Sequence, residues 1–536
     1  MMRIRTNGFL LLLCLAALPA RAEERVAAAS GVSASGSATY ANPLDVILAD
    51  PFALRVGDTY YLYGTSDLRG FHVWTSTNLV DWRQRGFAYR KEKDDFGQRR
   101  FWAPEAFEHK GKFYLHYTAA PRDHSQRIVL AESDSPLGPF KEIKGPWFES
   151  KLCIIDSHVF KDDGEGGDGQ LYLYYVLDCS ENGDSEIYVR KLSDDLTVSK
   201  EATFCAKPSQ PWEGTQWNEA PFVFKRGSTY FMMYSANCYV DAFYTVGYAT
   251  APSPLGPWTK APENPILRHN PDVSGPGHNA IIDSPDGKEL YVLYHTHQLA
   301  RGGGKRQLAI DPMRIVEEPG KTPRLVIDGP TITPRPIPSG AKPLAAATSD
   351  EFASDALAPS WTTFNESSAD WKLADGWLTI QTKDGDVYEE RTDLQNLFLQ
   401  YAPAGDFTIT TRVDFTPREN HQHASLYVWQ DHNNYAKLAL VHDNGLRLEA
   451  SRETKGKYAK RLTDAQGERY LRIRKTGDAL AFFASADGTK WRQLDAQFDA
   501  RFTETKIGIA AGSPGPSSSA EARFDFFHIE RGDESR

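Results

Sequence analysis

The chain has 536 residues, 40% of them hydrophobic and 25% charged, enough apolar material for a sizeable core and too much for a disordered chain. At about 150 residues per domain it predicts two to four domains, or two large all-β ones. Sixty-one Lys and Arg against 71 Asp and Glu give a net charge of −10, and the basic residues are scattered, which excludes phosphate-backbone binding and hence nucleic acid as a partner. Aromatic residues reach 12% (12 Trp, 24 Tyr, 28 Phe), a bias that suits β-sheet cores first and carbohydrate stacking second.

Residues 1–22 read as a secretory signal, with Arg3 and Arg5 ahead of the apolar run Phe9 to Ala17 and a small-x-small cleavage site at Ala20-Arg21-Ala22. The run is far shorter than the roughly 20 apolar residues a membrane span needs, and no later segment is longer. Cleavage would remove Arg3, Arg5 and Arg21 from the 61 basic residues, leaving 58 against 71 acids, a charge of −13 on a secreted or periplasmic protein with no membrane partner. Residues 23–39, rich in Ala, Ser and Gly, predict a flexible leader.

From residue 40 a phrase recurs five times, a glycine turn followed by a short aromatic strand. It reads Gly57-Asp-Thr-Tyr-Tyr-Leu-Tyr63, Gly111-Lys-Phe-Tyr-Leu-His-Tyr117, Gly169-Gln-Leu-Tyr-Leu-Tyr-Tyr175, Gly227-Ser-Thr-Tyr-Phe-Met-Met-Tyr234 and Gly287-Lys-Glu-Leu-Tyr-Val-Leu-Tyr294. A further strand follows each copy, at His72–Ser76, Ile128–Ser133, Ile187–Leu192, Val246–Thr250 and Gln307–Asp311, and two turns are near-copies, Ser135-Pro-Leu-Gly-Pro-Phe140 and Ser253-Pro-Leu-Gly-Pro-Trp258. Short alternating strands with Gly and Pro turns at this regular spacing predict a five-bladed β-propeller over 40–329, with no helix. Four cysteines fall inside it: Cys153, Cys179, Cys205 and Cys238. A hairpin of Ile154–Phe160 with Leu171–Leu177 would set Cys153 almost opposite Cys179, as a disulfide or as two small buried apolar side chains.

The innermost strand of each blade precedes its glycine and opens on the central channel. Those starts read Ala49-Asp50-Pro51, Trp102-Ala-Pro-Glu105, Ile155-Asp156-Ser-His158, Asn218-Glu219-Ala-Pro221 and Gly277-His278-Asn279. Asp50, Asp156 and Glu219 thus converge from three blades, and crowded carboxyls raise one another's pKa, as acid–base hydrolysis of a glycoside requires.

After the propeller, Pro330, Pro334, Pro336, Pro338 and Pro343 mark 330–345 as an extended spacer. Residues 346–534 resume with strands at Phe407–Phe415, Ala424–Trp429, Tyr435–Val441, Leu471–Lys475, Leu480–Ala484 and Ile507–Ala511 and turns at Asp443-Asn-Gly445 and Asp487-Gly488, predicting a β-sandwich.

On these five strand starts, in order and in phase, the chain resembles glycoside hydrolase family 43, whose catalytic domain is a five-bladed propeller. The resemblance implies that Asp50 is the general base, Glu219 the general acid and Asp156 the residue that orients the acid and tunes its pKa. It implies inversion of configuration, with base and acid carboxyls about 6.5–9.5 Å apart. His278 matches an axial histidine often associated with calcium or water in the channel, the alternative being a hydrogen-bonded core histidine. Arg306 matches an arginine that contacts the sugar or a catalytic carboxylate, and Trp102 a wall of the sugar site, with packing as its alternative. Two departures stand out: Glu219-Ala220-Pro221 where the family usually has Glu-Gly-Pro, and Ser157 where a proline often follows the aspartate. Ala220 adds one methyl and lacks the left-handed freedom of glycine, a change the local turn is expected to tolerate, and neither departure removes a carboxylate.

The second domain is similar to the concanavalin-like sandwich that follows some family 43 propellers, β-xylosidases especially, through Asp350-Glu-Phe352, Ala424-x-Leu-x-Val-Trp429, Asn434-Tyr435 and Asp487-Gly-x-x-Trp491. In such enzymes a loop of this domain reaches the active site; the corresponding stretch here, Pro417–His423, carries His421 and His423, read as surface-loop histidines rather than metal ligands. Together these features imply an exported, inverting, exo-acting hydrolase of plant polysaccharides that releases α-L-arabinofuranosyl or β-D-xylosyl units and requires no cofactor, with calcium as a possible structural ion. The other readings are an endo-arabinanase, a galactan-active relative, a non-catalytic carbohydrate-binding propeller, and a retaining fructosidase, whose Asn-Asp-Pro-Asn-Gly motif is replaced here by Ala49-Asp50-Pro51-Phe52.

Overall fold

A computed structural model describes residues 39–532 except Glu165, 299–303, Pro343, Glu390, Ala500 and 516–518. The signal segment 1–22 and all of the leader 23–39 but Thr39 lie outside the described residues.

Five four-stranded antiparallel blades follow one another in the chain, each built of strands in sequential order. Their innermost strands are Ala49–Val56, Arg99–His109, Ile154–Lys161, Asn218–Arg226 and Gly277–Asp283. Each turns at its repeat glycine into an aromatic second strand: Thr59–Thr65, Lys112–Ala120, Leu171–Leu177, Thr229–Ala236 and Leu290–His297. The five glycines all have positive φ (60°, 77°, 74°, 55° and 70°), and open space surrounds the position of a Cβ at each, so backbone conformation and not room selects glycine there. The near-copy turns fall at the same place in blades two and four, between third and fourth strands, where Gly138 N–H donates to Ser135 O and Gly256 N–H to Ser253 O.

Each core lies between two blades. Alternation along the second strand sends successive side chains to opposite neighbours: Tyr60 and Leu62 pack toward blade five, Tyr61 and Tyr63 toward blade two. The ring closes through the segment ahead of blade one. Asn42 exchanges hydrogen bonds with both backbone groups of Ile310, at 2.7 and 3.0 Å, and Leu44 and Val46 pair with Leu308 in the third strand of blade five. The proline-rich stretch runs along the same blade: Arg335–Pro336 pairs with Thr39–Tyr40, Thr331 donates to Asp311 and Ser339 to Asp286.

The C-terminal part is a sandwich of two seven-stranded sheets closing on a core that includes Phe398, Ile409, Leu426, Leu438, Ile473, Phe482 and Phe524. All six expected strands are present. The Asp443-Asn-Gly445 turn joins Asn434–His442 to Leu446–Thr454. The edge strand Lys457–Asp464 and the 11-residue Glu521–Arg531 carry polar residues on much of their length and give a weak hydrophobic pattern. The sandwich shares core with the propeller, since Tyr401 packs in the cluster of blades one and five and donates to Asp81, while Asp45 accepts from Lys506 at 2.5 Å and Trp429 Nε1 at 3.1 Å. Helix among the described residues is confined to Cys179–Asn182 and two 3-10 turns, and no helix is long and apolar enough to cross a membrane. The Cys153–Cys179 hairpin forms as expected, but all four cysteines are free thiols; Cys179 begins the short helix, whose Glu181 accepts the Cys153 N–H.

Candidate active site

The catalytic candidates sit on a backbone device repeated in every blade. The innermost strand loses register with its partner (twice in blade two), and two residues bulge at the shift nearer the repeat glycine: Asp50-Pro51, Ala103-Pro104, Asp156-Ser157, Ala220-Pro221 and His278-Asn279. The first of each pair has positive φ, at 54°, 44°, 49°, 54° and 53°. Ala220 therefore occupies the left-handed region that the family's usual glycine would take, without relaxing out of it. Ser157, in place of proline, hydrogen-bonds the buried His116 at 2.7 Å.

Turned out of its own sheet, the N–H of each left-handed residue goes to the preceding blade. Ala103 donates to Thr65 (2.9 Å), Asp156 to Thr118 (3.1 Å), His278 to Ser235 (2.8 Å) and Asp50 to His295 Nδ1 (3.1 Å). Those four acceptors hold equivalent positions, each paired across its blade with the residue before the bulge. In blade three that position is Val176, which has no acceptor. There the Asp156 carboxylate substitutes, taking the Ala220 N–H at 3.2 Å. Asp156 is thereby fixed against the residue next to Glu219.

One residue past the bulges, Phe52 of blade one meets Phe222 of blade four at 6.4 Å between centroids, a contact between non-adjacent blades that spans the axis. His158 packs against Phe222 with its ring tilted by 41° and holds Glu105 at 2.8 Å, so this layer forms a floor to the channel. Above it Asp50, Asp156 and Glu219 are all buried, at 7–8% exposure.

Their environments pull them apart. Burial alone would raise Asp50, but the Arg306 guanidinium 3.0 Å from Oδ1, His278 Nδ1 at 3.3 Å and the Thr65 hydroxyl at 2.6 Å from Oδ2 outweigh it and hold the carboxyl below the usual range. Burial lifts Glu219 to about 7; the charges of Asp50 and Asp178 add to the rise, while the Tyr244 hydroxyl, 2.8 Å from Oε1, opposes it. Asp156 is raised well above its ordinary value by burial, then by Glu219 and Asp50. The Asp156–Glu219 pair thus retains a proton at neutral pH beside an ionised Asp50.

Arg306 meets Asp50 and also lies 4.7 Å from the Tyr239 ring centroid. Trp102 is half-buried, packed against the cluster that contains Ile155, with the Arg100 guanidinium 5.8 Å from its ring. Sequence reasoning missed Thr65, on the second strand of the same blade as Asp50, Tyr244, in a loop of the same blade as Glu219, and His295, on the second strand of blade five. Tyr244 stacks at 5.5 Å on His295 and so close to Gly277 that a Cβ there would fall 2.3 Å from its ring. The calcium reading finds a poor donor set: calcium takes six to eight oxygens, whereas His278 turns one nitrogen to Asp50, and among the described residues no three His, Cys, Asp or Glu side chains converge on an ion position.

The Pro417–His423 stretch differs from expectation. His421 is exposed, but His423 starts the strand His423–Asp431, is 2% exposed and bonds Ser425 at 2.9 Å. The sandwich instead touches the propeller's site-bearing face with the 431–434 turn, where Asn433 donates to Gln298 O at 2.8 Å, just after the blade-five strand that carries His295.

Residues 40–319 match the model of glycosyl hydrolases family 43, and 349–530 that of the beta xylosidase C-terminal concanavalin A-like domain. Among curated proteins the chain is 28% identical over 269 residues to a beta-D-galactofuranosidase of Aspergillus niger, covering 46% of this chain and 73% of that one. It is 25% identical over 531 residues to a non-reducing end alpha-L-arabinofuranosidase of Bacteroides ovatus, covering 91% and 94%. A crystal structure of a thermostable family-43 glycoside hydrolase matches 56% of this chain and 100% of its own with 46% identity and a TM-score of 0.53. The family match takes in 280 of 536 residues, the whole stretch that carries the bulges and their three carboxyls, and the chain belongs to glycosyl hydrolases family 43 and is a glycoside hydrolase.

Proposed function

We propose that the protein is an exported, inverting, exo-acting glycosidase that removes terminal pentosyl units, α-L-arabinofuranosyl ahead of β-D-xylosyl, from plant cell-wall polysaccharides or their oligosaccharides. The observation that carries this reading is the opposed protonation of two neighbouring buried carboxyls, with Asp50 held ionised by Arg306 and Glu219 raised to about 7. Asp50 takes a proton from water as the water attacks the anomeric carbon. Glu219 gives its proton to the departing glycosidic oxygen. Asp156, tied to the Ala220 amide, sets where Glu219 stands and shares with it the proton that the pair retains. Both proton transfers use side chains, so the reaction calls for no cofactor. Arg306 and Trp102 border the sugar, and His278 supports Asp50.

Arabinofuranosyl is placed first because the relative that aligns along 91% of the chain is named for that sugar and for the non-reducing end. The signal-like residues 1–22 support export. The test is proton NMR of the first product from an arabinofuranosyl or xylosyl oligosaccharide. Release of single pentoses in the anomer opposite to the substrate is expected; the same anomer, or release of longer fragments first, would contradict it.

A further inference from the structure

Nine large hydrophobic side chains are exposed among the described residues, and three of them, Tyr239 (43%), Val240 (40%) and Phe243 (62%), share the loop 237–244 of blade four. Exposed aromatics grouped in this way mark a binding surface and not chance exposure. The loop is also braced. Asp241 N–H donates to Cys238 O, Tyr244 N–H to Asp241 O and Gly275 N–H to Ala242 O, while Asn237 Nδ2 reaches Phe243 O at 3.1 Å and His297 Nε2 donates to Tyr239 O at 2.8 Å. Arg306 lies over the Tyr239 ring and His269 meets Phe243 edge to face at 4.6 Å, yet Phe243 keeps most of its surface in solvent, and a braced loop that holds an aromatic ring so is already organised for a ligand.

Its position says which ligand. The last residue of the loop, Tyr244, holds Glu219, and Tyr239 lies under Arg306, which holds Asp50. A general acid stands beside the leaving oxygen, so the part of the substrate next to Glu219 and beyond the cleaved bond is the departing sugar. The apolar C–H face of a sugar ring stacks on an exposed aromatic. We infer that Phe243, with Tyr239 beside it, is the platform for the sugar unit on the leaving-group side, and that the enzyme therefore favours oligosaccharides over glycosides with a small leaving group. The platform presupposes the glycosidase activity proposed above.

The test compares the ratio of kcat/KM for a pentosyl trisaccharide to kcat/KM for the matching methyl glycoside. Phe243→Ala should lower that ratio about fivefold to tenfold, the value of one aromatic contact, and Phe243→Tyr should restore it. An unchanged ratio in Phe243→Ala would overturn the platform. Should the wild-type enzyme cleave neither arabinosyl nor xylosyl substrates, the proposed activity fails on its own. Calorimetric titration of arabinotriose and xylotriose into Glu219→Gln and into Glu219→Gln/Phe243→Ala then decides the platform: weaker binding by the double variant upholds it, and equal or no binding in both overturns it.

Discussion

Removing one hydroxyl from the acid's surroundings should move the basic limb of the pH profile upward. Tyr244 donates to Glu219 Oε1 at 2.8 Å, and Tyr244→Phe deletes that donor while keeping the ring clamped between His295 and Gly277. A hydrogen bond to an ionised group is worth about 1.5–3 kcal/mol against about 0.5–1.5 for a neutral one. The carboxylate therefore loses roughly 1–1.5 kcal/mol more than the carboxylic acid does, and at about 1.4 kcal/mol per pH unit the pKa rises by about one. Glu219 must be protonated to act as the acid, so activity falls as pH rises through its pKa, and the limb should shift from about 7 to roughly 8. The assay is kcat/KM against pH on a disaccharide, whose poor leaving group needs the proton and whose kcat/KM reports the free enzyme. A basic limb that stays in place or moves down would refute the role given to Tyr244 and with it the assignment of that limb to Glu219.

Thr65→Val should cost activity and about 1–3 kcal/mol of stability, because it withdraws the O–H from Asp50 and leaves the Ala103 N–H buried without a partner; Thr65→Ser, which keeps both bonds, should behave as wild type in kcat and in thermal unfolding. Glu219→Gln should be inactive yet more stable at alkaline pH. The folded-state pKa of Glu219 lies above its ordinary 4.5, at about 7, so the wild type loses stability as pH rises through that window, a loss the uncharged amide escapes. The Tm advantage of the variant should therefore be larger at pH 8 than at pH 4.5, and an advantage independent of pH would contradict the raised pKa.

What could be read from the sequence was whatever the backbone imposes locally. The repeat glycines announce blades because each turn needs positive φ, and the carboxyls could be placed by counting back from them. Partnership between blades was hidden. His295 of blade five meets Asp50 of blade one only when the ring closes, and even within one blade nothing near Thr65 or Tyr244 in the chain marks them as partners of Asp50 and Glu219. The use of Asp156 in place of a hydroxyl became visible only once Val176 was seen at the equivalent position. In the sandwich, Lys457–Asp464 escaped notice because an edge strand needs no buried face, and His423 was misplaced because its polar neighbours in sequence are not its neighbours in space.

The central claim, that Glu219 is the proton donor of a pentosidase, is tested most directly by hydrolysis of nitrophenyl α-L-arabinofuranoside and nitrophenyl β-D-xyloside side by side, with Glu219→Ala as the control. The account predicts release from at least one, the arabinofuranoside first, and a large loss in the variant. Equal rates in wild type and Glu219→Ala would contradict it.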